Sequence, residues 1–269
     1  MKFDMSHAWR DAVAMIKTNR EVLLIVAGIF FFFPALATSL LVPGMQDALV
    51  NQPDVGQAVL QVYGDYWWLI LLVAIAQTIG MLTLLALLRD KSQPTVGEAI
   101  RTGLTGVLPY LLATLLIAFG VFAVLMVLVG IPAASGSGVL AALGTLAFIA
   151  LAIYCFVKLS LIPPVIAVDK LLNPVAALQR SWNLTKGAGL RLLVFYLLIG
   201  IAYMVVMLVL GMVLGALVLV LGESLGQVIE AVVSSLLDAA VTVIFVAVLA
   251  GVHRQLTGTS PENARGAES

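Results

Sequence analysis

Long apolar runs alternate with short polar stretches along this chain, and the runs have the length of a lipid bilayer. Six stand out, at 22–42, 66–88, 108–131, 139–163, 192–221 and 228–252. At ~1.5 Å per helical residue, runs of this length cross a hydrocarbon core of ~30 Å. Ahead of the first, third and fifth runs lie segments of mixed polarity, each predicting an amphipathic helix on the membrane surface. In 1–21, Ser6 is the expected cap, and Met5, Trp9, Val13 and Ile16 form an apolar face. In 89–106, Thr95-Val96-Gly97-Glu98 is a capping box, with Val96, Ile100, Leu104 and Val107 as the apolar face. In 173–191, Asn173 suits the N-cap and Pro174 the first helical position, while Gly187 suits a left-handed end. There Val175, Leu178 and Trp182 make the apolar stripe, with Gln179, Arg180 and Lys186 away from it.

The connections on the other side are plainer. Residues 43–65 read as a polar loop carrying Asp47, Asp54 and Asp65, and Tyr66, Trp67 and Trp68 follow as an aromatic anchor. The uncharged PAASGSG turn joins spans three and four, and Pro163-Pro164 ends or kinks the fourth. Span five would be ~45 Å long as one straight helix, so it must tilt, project or break. Gly200, Gly211 and Gly215 are its weak points, and Gly211-x-x-x-Gly215 is a candidate close-packing motif. Ala35-Leu36-Ala37 imitates a signal-peptide cleavage site, but the run before it is too long for a signal h-region.

Composition agrees with the pattern. The chain is 62% hydrophobic and 10% charged, against roughly a quarter charged in soluble domains, which excludes a soluble fold. Fourteen basic residues balance fourteen acidic ones, so net charge gives no ground for a nucleic-acid partner. Distribution is more informative. Every Lys and Arg falls in 1–21, 89–106, 158–191 or the tail, and none in 43–65, 132–138 or 222–227. The positive-inside rule then predicts an all-α, six-span protein of a bacterial inner membrane, with both termini and all three surface helices cytoplasmic. The expected organisation is one membrane domain over 1–258 and a flexible tail over 259–269. Ala8-Trp9-Arg10, Ala99-Ile100-Arg101 and Leu178-Gln179-Arg180 hold comparable places, suggesting a threefold repeat of units 1–88, 89–164 and 165–256.

Candidate chemistry is sparse. Cys155 lies in an apolar run and has no second cysteine to pair with. His7 and His253 both fall in surface segments, where solvation is the ordinary reading. There is no H-E-x-x-H, G-x-S-x-G or P-loop, so neither an enzyme, a metal site nor a cofactor is expected. The exception to this plainness is span six, where Glu230, Ser234, Asp238 and Thr242 recur every four residues on one helix face. A carboxylate near mid-membrane costs ~2.5–3.5 kcal/mol on insertion scales, so Asp238 is expected to face the bundle interior or a wet cavity. Gln77 comes to a similar depth as a hydrogen-bond partner, with Tyr154 and Tyr203 as further members of the layer. Lys158, nearer the cytoplasmic end of its span, is expected to snorkel. The stripe reads either as a polar path or as interhelical packing glue. Arg10, Lys17, Arg101, Arg180 and Lys186 are candidates for binding lipid headgroups, or serve topology alone. Trp9, Trp67, Trp68 and Trp182 are the interfacial anchors. Membrane lipids are the expected partners, in a non-enzymatic scaffolding role in the envelope; the alternative is a small transporter using Asp238.

The third unit carries Pro174-x-x-Ala177-Leu178-x-Arg180-Ser181-Trp182-x-Leu184-Thr185-Lys186-Gly187, preceded by SLIPPVIAVDK at 160–170. These residues resemble a signature of the bacterial glycerophosphoryl diester phosphodiesterase membrane-domain family and its YciC-like relatives. The resemblance implies a polytopic integral-membrane protein. The family's name comes from members fused to a soluble phosphodiesterase, and the resemblance carries no catalytic residue to this chain.

Overall fold

Apolar runs that must satisfy every backbone group without water fold as helices. A computed structural model describes residues 3–42, 55–88 and 95–258, and it is all-α, with no strand among them. Helix α1 (Met5–Ala27) bends at Asn19, passes through a π-helical turn at Gly28–Phe32 and continues as α2 (Phe33–Leu41). Helix α3 (Val55–Leu87) bends at Tyr66. Helix α4 (Val96–Leu125) runs through a second π-helical turn, Met126–Gly130, into the short α5 (Ile131–Ala134). Then come α6 (Gly138–Leu159), α7 (Ile162–Ala167), α8 (Pro174–Leu184), α9 (Gly189–Leu221) and α10 (Glu223–Thr257). Six helical stretches are long and apolar enough to cross a membrane, so the chain is a multi-pass membrane bundle.

The boundaries depart from expectation in four places. The polar loop is shorter than 43–65, because α3 is already helical from Val55; Asp47 and Asp54 lie outside the described residues. The turn over 222–227 shrinks to Gly222, whose φ of 84° suits glycine. The second surface segment does not end before its span: α4 is one helix, with Pro109 inside it. At the N-terminus the cap is Asp4, not Ser6. The Asp4 carboxylate accepts from the Ser6 hydroxyl (2.7 Å) and from the amides of His7 (3.2 Å) and Ser6 (2.8 Å), which together hold its pKa below the usual carboxylate range. Other caps are as expected. Thr95 and Glu98 close their capping box, and Asn173 Oδ1 accepts from Val175 and Ala176 at 3.0 and 3.2 Å. The tail beyond 258 lies outside the described residues.

Packing is uneven along the bundle. The continuous core joins Leu23 and Val26 of α1, Leu82–Leu85 of α3, all of α7, Leu192 and Phe195 of α9, and Val246–Leu249 of α10. At this end the chain is also laced by polar contacts. Gln255 Nε2 donates to the Asp4 carbonyl (3.0 Å), Arg254 to Leu88 (2.9 Å) and Arg191 to Phe3 (3.4 Å). By contrast, the far halves of α4, α6 and α9 expose Phe119, Leu146, Met204 and Met212, the surface a bilayer would cover.

In all three surface segments the most deeply buried positions are mainly small residues, not the large apolar ones expected, although Met5, Ile16 and Leu178 of the expected faces pack partly against the core. Buried are Ala8, Ala12 and Met15 in α1, Ala99, Gly103 and Gly106 in α4, and Ala177 and Ser181 in α8. Trp9, Leu104, Val175 and Trp182 are exposed instead. The reason is the solvent. In lipid a large apolar side chain gains little by leaving the surface, whereas small residues let backbones approach closely. A Cβ on Gly251 would stand 2.8 Å from the Ala8 carbonyl oxygen, and one on Gly103 2.8 Å from that of Ile79.

Candidate functional site

The basic end gathers the residues with chemistry, and two clusters there were not anticipated. The first is built where α6 ends against α8. The Lys158 carbonyl, near the C-terminus of α6, lacks an intrahelical donor, and the hydroxyl of Ser181 supplies one at 2.8 Å, with that of Thr185 at 3.4 Å. The Lys158 ammonium returns the contact, donating to the Thr185 carbonyl at 3.2 Å. It does not snorkel: Lys158 is only 6% exposed. Its charge lies 5.6 Å and 5.7 Å from the ring centres of Tyr154 and Trp182, which themselves meet edge to face. No carboxylate among the described residues forms an ion pair with it. Tyr154 therefore belongs here and not to a layer around Asp238. The four-residue spacing of Ser181 and Thr185 gives the signature in the third unit a physical role: their hydroxyls seat the end of α8 on α6.

The second cluster joins α8, α10 and the loop after α7. Lys170 adopts a left-handed backbone (φ 55°) in that loop, and Asp169 sits just before it. The Asp169 carboxylate meets Arg180 Nε at 3.5 Å and His253 Nε2 at 3.2 Å. The imidazole is off-line for a hydrogen bond to that oxygen. His253 is 3% exposed, not the solvated surface residue expected. Partial burial works against ionisation of Asp169, but His253 and Arg180 outweigh it and hold its pKa below the ordinary range. Arg180 is thus engaged by protein, unlike Lys17, Arg101 and Lys186, which are exposed; Arg10 is exposed and donates to the Ser6 carbonyl at 3.4 Å.

Within the apolar stretch of α10, Glu230, Ser234, Asp238 and Thr242 share one face, with the Ser234 hydroxyl turned onto the Glu230 carbonyl at 2.6 Å. Asp238 does not face the bundle interior. It is exposed beside Tyr203 of α9, and Gln77 is exposed on α3. Gly211 and Gly215 of α9 have nothing within 4 Å of where a Cβ would sit, so they do not pack within the described chain. Trp67 and Trp68 project outward beside the bend of α3. No group of His, Cys, Asp and Glu that could hold a metal ion occurs among the described residues. In comparisons with protein-family models, curated proteins and solved structures, nothing matches this chain.

Proposed function

We propose that this is a non-enzymatic, lipid-interacting protein of a bacterial inner membrane, acting as a scaffold in envelope maintenance, with its basic end and both termini cytoplasmic. The observation that supports this reading is the collection of basic residues at one end of the bundle, with Arg10, Lys17, Arg101 and Lys186 left exposed around a tightly packed core. Each basic residue beside an anionic leaflet contributes ~1 kcal/mol of attraction. The resemblance of the third unit to polytopic membrane proteins agrees with the same placement. The test is the lipid shell of the purified protein reconstituted in phosphatidylcholine with a minor share of phosphatidylglycerol. Spin-labelled phosphatidylglycerol should be enriched at the protein surface over the bulk, and replacing the four exposed basic residues with Gln should abolish the enrichment. A shell of bulk composition would contradict the proposal.

A second reading, transport, draws on one observation: Asp238 lies beside Tyr203 on an exposed face, near the middle of the apolar stretch of α10. In a Cys155→Ser background, Asp238→Cys would then react with a small water-soluble thiol reagent in intact membranes. Absence of labelling in a folded, inserted protein removes this reading.

A further inference from the structure

Two cavities adjoin between the second helical hairpin and the core. The inner one, about 360 Å³, is lined largely by apolar groups of α3, α4, α6, α7 and α10, among them Ile117, Val121, Ala152 and Phe156. The outer one, about 390 Å³, lies under α8, where Gln179, Trp182 and Asn183 face Leu116 of α4. Ile117 and Leu159 line both, so they are two lobes of one cleft. Each lobe alone falls in the ordinary range for ligand sites, roughly 300–1,000 Å³.

The polarity of the cleft is graded. The inner lobe is apolar, and its few polar groups are largely engaged by the protein: the Ser160 hydroxyl is 3.1 Å from the Tyr196 hydroxyl, and the Thr114 hydroxyl bonds the Tyr110 carbonyl at 2.9 Å. The outer lobe has two side-chain amides at the level of a surface helix. Behind its Trp182 wall lies the Lys158 ammonium, buried and without a counter-ion among the described residues. In a low-dielectric region such a charge is felt several ångströms away and favours an anion in the space beside it.

We infer that this cleft is a binding site for one anionic glycerophospholipid, with an acyl chain in the inner lobe and the phosphate in the outer lobe beside Gln179, Asn183 and Trp182. The inference rests on the lipid-interacting reading but assigns it to a different set of residues. The exposed basic residues attract a changing shell of many lipids, whereas the cleft holds a single molecule. The site takes its occupant sideways from the leaflet at the basic end, since both lobes open on the surface that exposes Leu116 and Phe156.

The experiment counts retained lipids. Full-length protein is reconstituted in phosphatidylcholine containing a minor share of phosphatidylglycerol, extracted in mild detergent and weighed by native mass spectrometry. The wild type should retain one phosphatidylglycerol per chain. Ala152→Trp, which fills the inner lobe, should cut that occupancy about tenfold, a loss near 1.4 kcal/mol. Gln179→Leu combined with Asn183→Leu, at the rim and outside the Lys158 contacts, should lower the preference for phosphatidylglycerol over phosphatidylcholine severalfold, at unchanged melting temperature. Lys158→Gln should do the same where it folds. No retained lipid in the wild type, or equal retention by Ala152→Trp, overturns the site; unchanged preference in the rim variant overturns its headgroup assignment. A retained single lipid without an enriched shell would overturn the basic-surface reading and leave the cleft standing.

Discussion

Lys158 and Asp169 show how a charge survives near a membrane surface. Lys158 is surrounded by a carbonyl and two aromatic faces, a neutral cage that replaces part of its hydration. Asp169 instead sits between the Arg180 guanidinium and the His253 imidazole and ties α8 to the end of α10. Its folded pKa lies below its unfolded value of about 3.9, so its stabilisation is complete above that pH and is lost as pH falls through the folded value. Asp169→Asn should therefore lower stability at neutral pH by roughly 1 kcal/mol, the Arg180 share being small because that side chain is half exposed. It should also flatten the loss of stability of the wild type below about pH 4. Thermal unfolding in detergent across pH checks both; an unchanged acid limb would remove Asp169 from the joint. Neither cluster was visible along the chain. His253 and Asp169 meet only through tertiary folding, and a lysine near the end of an apolar run looks the same whether it snorkels or is caged.

Helix ends and lengths were legible where local chemistry decides them. The Thr95 box and the Asn173 cap formed as their side chains dictate, and the apolar runs became the spanning helices. Helix faces were legible only in part, with Met5, Ile16 and Leu178 inward but Trp9, Leu104, Val175 and Trp182 outward, because amphipathic reasoning assumes water outside. The seams are instead small residues: Ala8 and Ala12 against Gly251, Gly103 against Ile79 and Thr83 of α3, and Ser181 against the end of α6. The seams also separate glycines that matter from those that do not. Gly251→Val would drive a side chain onto the Ala8 backbone, costing about 1–3 kcal/mol and loosening α1 from α10. Gly211→Val and Gly215→Val meet open space, so the purified chain should change by no more than about 0.5 kcal/mol. Melting temperatures of the three variants decide this, and equal losses would mean that α9 is packed where the chain leaves it open.

The whole molecule is a bundle closed at its basic end and looser beyond it. At that end α1, α3, α7, α8, α9 and α10 converge, while the apolar stretches of α4 and α6 are the least buried of the six, and the cleft lies against them. The six-span pattern and the segregation of charge could be read from composition along the chain, since each is a property of single segments. The cleft could not, because it arises from how far two hairpins stand apart. The role proposed for the protein depends on which side of the membrane the closed end occupies. In a Cys155→Ser background, single cysteines are placed by Ser6→Cys, Gln179→Cys and Ser135→Cys and exposed to a membrane-impermeant maleimide. With the basic end cytoplasmic, the cysteines at 6 and 179 react only in inverted vesicles, and the one at 135 only from outside intact spheroplasts. The reverse pattern, or reaction of 6 and 135 from the same side, would contradict it.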